Sequence, residues 1–131
     1  MEAWDPSEKP NLTYSHPWGA PLVWVVAEYL LGVRATSPAF ATFDVRPQLG
    51  LLSRASSAVP TIRGPIPVDV NQTMAPGMKK GLAPVGMTLR VHVPGSTRAR
   101  VFAPMPDRHS QVEVDGVRID ESKKIMELPH E

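Results

Sequence analysis

The sequence predicts a mainly β fold, an antiparallel β-sandwich preceded by a loop and one short apolar α-helix. Three observations point there. From Ala39 onward, apolar residues recur with a period of two. Fifteen prolines and nine glycines punctuate these runs, which favours many short turns over a helical bundle. A single stretch, around residue 25, has the apolar continuity of a helix.

Taken in order, residues 1–18 are polar and turn-rich, with Pro6, Pro10 and Pro17, and read as a loop. Pro21 suits the first turn of a helix, where its missing N–H costs nothing. Leu22 to Leu31 continues the helix, and Gly32 is a good C-terminal stop. Only Glu28 and Tyr29 give it polarity. A helix apolar on nearly all faces needs neighbours on every side, and no second helix is expected in this chain. The run is too short for the roughly twenty apolar residues of a membrane span. The chain therefore reads as the tail of something larger. Trp18 and Trp24 are expected in the core beside the helix.

Strands follow. Ala41, Phe43 and Val45 alternate with Thr42, Asp44 and Arg46. Ile66, Val68 and Val70 alternate with Pro67, Asp69 and Asn71, and Met87, Leu89, Val91 and Val93 with Thr88, Arg90 and His92. Ala99, Val101 and Ala103 do the same beside Arg98, Arg100 and Phe102. Each is a strand with one apolar face. Val112 to Ile119 is a hairpin in which Asp115-Gly116 supplies the positive φ values of a type I′ turn. That register pairs Val114 with Val117, Glu113 with Arg118 and Val112 with Ile119. Met74 to Gly86, rich in Met, Pro and Gly, reads as a flexible loop between strands, and the charged end after Glu121 as a fraying tail.

Composition excludes several function classes. The 131 residues suffice for one small domain with a core. A net charge of +1, with basic residues scattered and Lys79-Lys80 and Lys123-Lys124 as isolated pairs, leaves no footprint for nucleic acid or an anionic membrane. Without cysteine there is no disulfide framework, thiol nucleophile or thiolate metal site. Asp107-Arg108-His109 has no partner at metal-ligand spacing, so no metal is expected. No glycine-rich phosphate loop and no serine nucleophile elbow occur. The sequons Asn11-Leu12-Thr13 and Asn71-Gln72-Thr73 fit a secreted glycoprotein, although no signal peptide is visible.

Several short motifs in one order resemble the C-terminal end of bacterial-type α-L-rhamnosidases, glycoside hydrolases built on a six-hairpin (α/α) barrel. They are Glu2-Ala3-Trp4-Asp5, Ser15-His16-Pro17-Trp18-Gly19-Ala20, Tyr29-Leu30-Leu31-Gly32-Val33-Arg34 and Pro38-Ala39-Phe40, followed by Val45-Arg46-Pro47-Gln48-Leu49-Gly50, Ala58-Val59-Pro60-Thr61 and Gly64-Pro65-Ile66. The resemblance covers residues 2–70 well and 87–120 through strand pattern alone. It departs from the family at Leu51-Leu52-Ser53-Arg54, where an acidic residue and a Trp are usual, and at Val70, where an aromatic is. It also departs at Met1, which replaces an aromatic.

The resemblance implies three segments: residues 1–36 as a remnant of the catalytic barrel, 37–122 as the C-terminal β-sandwich and 123–131 as a tail. It implies an inverting hydrolysis of terminal α-L-rhamnosides in glycosides or polysaccharides, with no cofactor. Inversion needs two carboxyl groups held roughly 6.5–9.5 Å apart, one acid and one base. By motif match Glu2 is the base that deprotonates the attacking water. His16 would hydrogen-bond a sugar hydroxyl, and Trp4 would wall the ring or methyl group. The family's general acid lies upstream in the barrel, and Asp44 and Asp69 have no motif to recommend them. The isolated chain is therefore expected to be inert or nearly so. Its partner through the apolar helix would be the upstream barrel or another chain. The competing reading is a non-catalytic sandwich module for carbohydrate binding or protein docking.

Overall fold

The computed structural model describes residues 21–77, 84–105, 110–119 and 126–128. It bears out a mainly β architecture with one helix of two halves, α-helical over Pro21–Val25 and π-helical over Val26–Leu30, together α1. The wide turn is closed by the Leu31 N–H donating to the Val26 carbonyl at 2.9 Å. Gly32 ends the helix as expected, with φ of +71°. The residue must be glycine for a second reason. A Cβ there would lie 1.8 Å from the Arg46 carbonyl oxygen.

Nine strands follow among the described residues. They are β1 (Val33–Ala35), β2 (Thr42–Val45), β3 (Arg54–Val59), β4 (Ile66–Thr73), β5 (Gly86–Val91), β6 (Arg98–Val101), β7 (Val112–Val114), β8 (Val117–Ile119) and β9 (Met126–Leu128). One sheet has the order β1-β2-β6-β9, a second β3-β4-β5, and β7-β8 is a separate hairpin. The inner faces share one buried cluster. Val33, Phe43, Val45 and Ala99 come from the first sheet, Val59, Ile66, Val68 and Val70 from the second, and Leu31 and Leu49 join them from the helix end and a turn. The period-two alternation thus does what it must in a two-layer fold, sending every second side chain inward.

Four features depart from the sequence reading. The β2–β6 pair is parallel, with Phe43 opposite Ala99. The chain leaves the first sheet after β2, builds the whole second sheet, and returns in the same direction. Such a return is the long crossover that parallel neighbours require. Second, β3 is a strand although Ala55, Ser56, Ser57 and Ala58 show little alternation; its partner β4 draws it into a ladder from Arg54↔Asn71 to Val59↔Ile66. Third, Met126–Leu128 pairs with β6 where a fraying tail was expected. Fourth, Trp24 is not a core residue: it remains 54% exposed.

The hairpin has the expected register, Val112↔Ile119, Glu113↔Arg118 and Val114↔Val117, with positive φ at Asp115 and Gly116. The Met74–Gly86 connection joins β4 to β5 as an antiparallel pair that closes at Thr73↔Gly86.

Candidate functional site

The residues expected to meet a sugar, Glu2, Trp4 and His16, lie outside the described residues, as do Trp18, the Asn11 sequon and Asp107-Arg108-His109. The surface that stands out among the described residues is α1. Leu22, Val23 and Trp24 are 68%, 77% and 54% exposed, and Val25 and Tyr29 are also open to solvent. Its first half buries no residue. Only in the second half do Val26, Ala27 and Leu30 pack on the core cluster. The helix is rooted by one end and projects an apolar cylinder away from the sheets. An apolar cluster of this kind marks an interface or an aggregation liability.

Its direction is fixed at the root. The Gln48 N–H donates to the Leu30 carbonyl at 2.9 Å, and the Arg46 N–H to the Gly32 carbonyl at 3.0 Å. Arg34 on β1 reaches back to the helix: its guanidinium sits 4.7 Å from the Tyr29 ring centre and 3.4 Å from a Glu28 carboxylate oxygen. The Tyr29 ring meets Trp24 edge-to-face at 5.1 Å. These contacts hold the aromatic side of the helix in one orientation while leaving it uncovered. Close to the helix root, the turn 49–52 exposes Leu51 and Leu52. That turn is braced from below by Gln72, whose buried amide donates to the Gly50 and Leu52 carbonyls, both at 2.9 Å. Nothing in the local sequence marks Gln72, because its role depends on a segment about twenty residues away.

The carboxylates on the sandwich are committed to structure. Arg100 donates to both oxygens of Asp44, at 2.7 and 3.1 Å. Arg54 donates to Asp69 at 3.0 Å, and the Asn71 amide takes the other Asp69 oxygen at 3.0 Å. Asn71, the acceptor of the second sequon, thus sits on the central strand β4 with its amide engaged. No group of three or more His, Asp or Glu able to hold a metal occurs among the described residues. Nor is any described helix long and apolar enough to cross a membrane.

Two shallow depressions lie on the outer face of the β3-β4-β5 sheet. One is lined by Arg54, Asn71, Thr73 and Thr88, the other by Ser56, Pro67, Asp69, Arg90 and His92. Neither contains an aromatic platform of the kind that stacks sugars.

The chain finds no match among curated proteins. Residues 32–118, from the glycine that stops α1 to the second strand of the terminal hairpin, match the model of the bacterial alpha-L-rhamnosidase C-terminal domain. Two sheets over one core with a helix standing at their edge, and a family match over most of the chain, lead to one statement: the chain belongs to the bacterial alpha-L-rhamnosidase C-terminal domain family.

Proposed function

We propose that this chain serves as the C-terminal unit of an α-L-rhamnosidase-like inverting glycosidase, with α1 docked among the helices of the catalytic barrel. The observation that carries the reading is the bare first half of α1, from Leu22 to Val25. Uncovered side chains of this size gain about 1.5–3 kcal/mol each when fully buried, and a helical barrel offers the apolar grooves that suit them. Residues 1–20 precede α1 directly, so docking it would bring Glu2, Trp4 and His16 to the barrel, where Glu2 would serve as base, His16 would bind a hydroxyl and Trp4 would wall the pocket.

The unit by itself is inert in this reading. Glycosyl transfer to water with inversion needs an acid as well as a base. Among the described residues Glu28, Asp44 and Asp69 are each ion-paired to an arginine on the sandwich, away from any paired carboxylate that could act with them. The substrate class, terminal α-L-rhamnosides, is that of the family and passes to this chain only as part of the larger enzyme.

The test is reconstitution. An α-L-rhamnosidase barrel truncated before its last helix is co-expressed with this chain, and co-purification and hydrolysis of an aryl α-L-rhamnoside are measured. The chain alone should give no turnover. The pair should co-purify and hydrolyse, and Val23→Asp should abolish both. Robust turnover by the isolated chain, or binding that ignores Val23→Asp, refutes the proposal. Glycan-array binding by the isolated chain with no affinity for the barrel would favour the stand-alone carbohydrate module instead.

A further inference from the structure

The outer face of the β1-β2-β6-β9 sheet gathers charges that are scattered in sequence. Because Val33, Phe43, Val45 and Ala99 point inward, the period-two rule puts Arg34, Asp44, Arg46, Arg98, Arg100 and Phe102 on the opposite face. The middle row neutralises itself. Arg34 is the Cα partner of Asp44, and Asp44 of Arg100. Asp44 is held by Arg100 through two hydrogen bonds, and Arg34 is occupied by Glu28 and the Tyr29 ring.

The rows on either side are different. Arg98 is exposed, opposite Thr42, and Arg46 is exposed at the far end of β2. Neither has a carboxylate partner among the described residues. Arg46 is oriented without one: its guanidinium lies over the Phe102 ring, 4.1 Å from the centroid, with Arg100 at 5.9 Å from the same ring. A guanidinium held over an aromatic ring still has N–H donors to offer a carboxylate. Stacking also lowers the entropy lost when such a pair forms. Arg46 and Arg98 differ by four residues along the strand direction, about 13 Å.

We infer that this sheet face is an accessory binding surface for a carboxylate-bearing polysaccharide chain, gripped at its two ends by Arg46 and Arg98 and lying over the neutral Asp44–Arg100 row. The choice of a glycan as the source of the carboxylates rests on the glycosidase reading above. The arrangement of Arg46 and Arg98 does not: the side chain on this face that contacts α1 is Arg34. An extended acidic oligosaccharide places charges along a line, as the two arginines do. Its exposed ion pairs are individually weak, so binding is of low affinity and is steeply reduced by salt.

The experiment is affinity electrophoresis and calorimetry of the full 131-residue chain with polygalacturonate, with dextran as a neutral polysaccharide and a DNA duplex as a non-carboxylate polyanion. Polygalacturonate should bind and the other two should not, and raising the salt from about 0.05 to 0.5 M should release it. Arg46→Gln and Arg98→Gln should each weaken binding about threefold to fivefold, as loss of one exposed ion pair does. Arg90→Gln, on the outer face of the other sheet, should leave it unchanged. Equal binding of DNA, no binding at low salt, or indifference to both Arg46→Gln and Arg98→Gln overturns the inference. Val23→Asp separates the two proposals. It should abolish barrel docking and leave polygalacturonate binding intact, so either can fail without the other.

Discussion

Gly32→Ala is the sharpest test of how the helix joins the sandwich. Two costs combine. Gly32 has φ of +71°, where an L-residue loses about 1–2 kcal/mol. The new Cβ would also lie 1.8 Å from the Arg46 oxygen and 2.2 Å from its carbonyl carbon, so the β2 end must retreat by more than an ångström. That retreat breaks the Arg46 N–H bond to the Gly32 carbonyl, 3.0 Å, and pulls on the Gln48 N–H bond to Leu30, 2.9 Å. Each net hydrogen bond is worth about 1 kcal/mol. The sum is about 3–4 kcal/mol. With an m-value of about 2 kcal/mol/M, the urea midpoint falls by about 1.5–2 M at unchanged slope. Gly50→Ala is the matched control. Gly50 has φ of +59° and nothing within 4 Å of an added Cβ, so only the conformational cost of about 1–2 kcal/mol applies. Equal midpoint shifts for the two variants would refute the reasoning, because the Arg46 carbonyl would then not be a fixed wall.

Four further substitutions have outcomes set by contacts and burial in the fold. Ala39, at φ of +58°, is strained in the turn that Arg63 holds through its bond to the Ala39 carbonyl, so Ala39→Gly should stabilise the chain by about 0.5–1 kcal/mol in denaturant titration. Gln72→Leu leaves the Gly50 and Leu52 carbonyls without their donor and should cost about 2–3 kcal/mol, with faster amide exchange in the turn 49–52. Phe43→Ala empties a fully buried ring site and should cost about 3–5 kcal/mol by urea unfolding. Val23→Asp, at a 77% exposed position, should shift the chain's own stability by less than about 0.5 kcal/mol while reducing binding of a hydrophobic dye to the helix.

Legibility differed from element to element for physical reasons. Strands such as β4 carry their burial pattern in themselves: Ile66, Val68 and Val70 are buried while Pro67, Asp69 and Asn71 are not. The 112–119 hairpin was readable to the residue pair because Asp115-Gly116 sets the turn locally. By contrast, β3 has Ser56 and Ser57 where β-branched residues would signal a strand; its extension comes from a partner that begins only at Ile66. The candidate catalytic residues are nominated by family resemblance alone and lie outside the described residues. Glu2, Trp4 and His16 lie in a turn-rich segment whose local pattern says nothing of a pocket.

By itself the sequence determined which side chains face inward, where α1 stops and how the terminal hairpin closes, because alternation, a stop glycine and a turn dipeptide act over a few bonds. Tertiary structure alone decided that β2 and β6 run parallel and that four arginines distant in sequence share one face. It also decided that α1 is covered at its root and bare beyond it. Those depend on which segments meet, and a period of two records only that a strand has an inner face, not the identity of the surface opposite it.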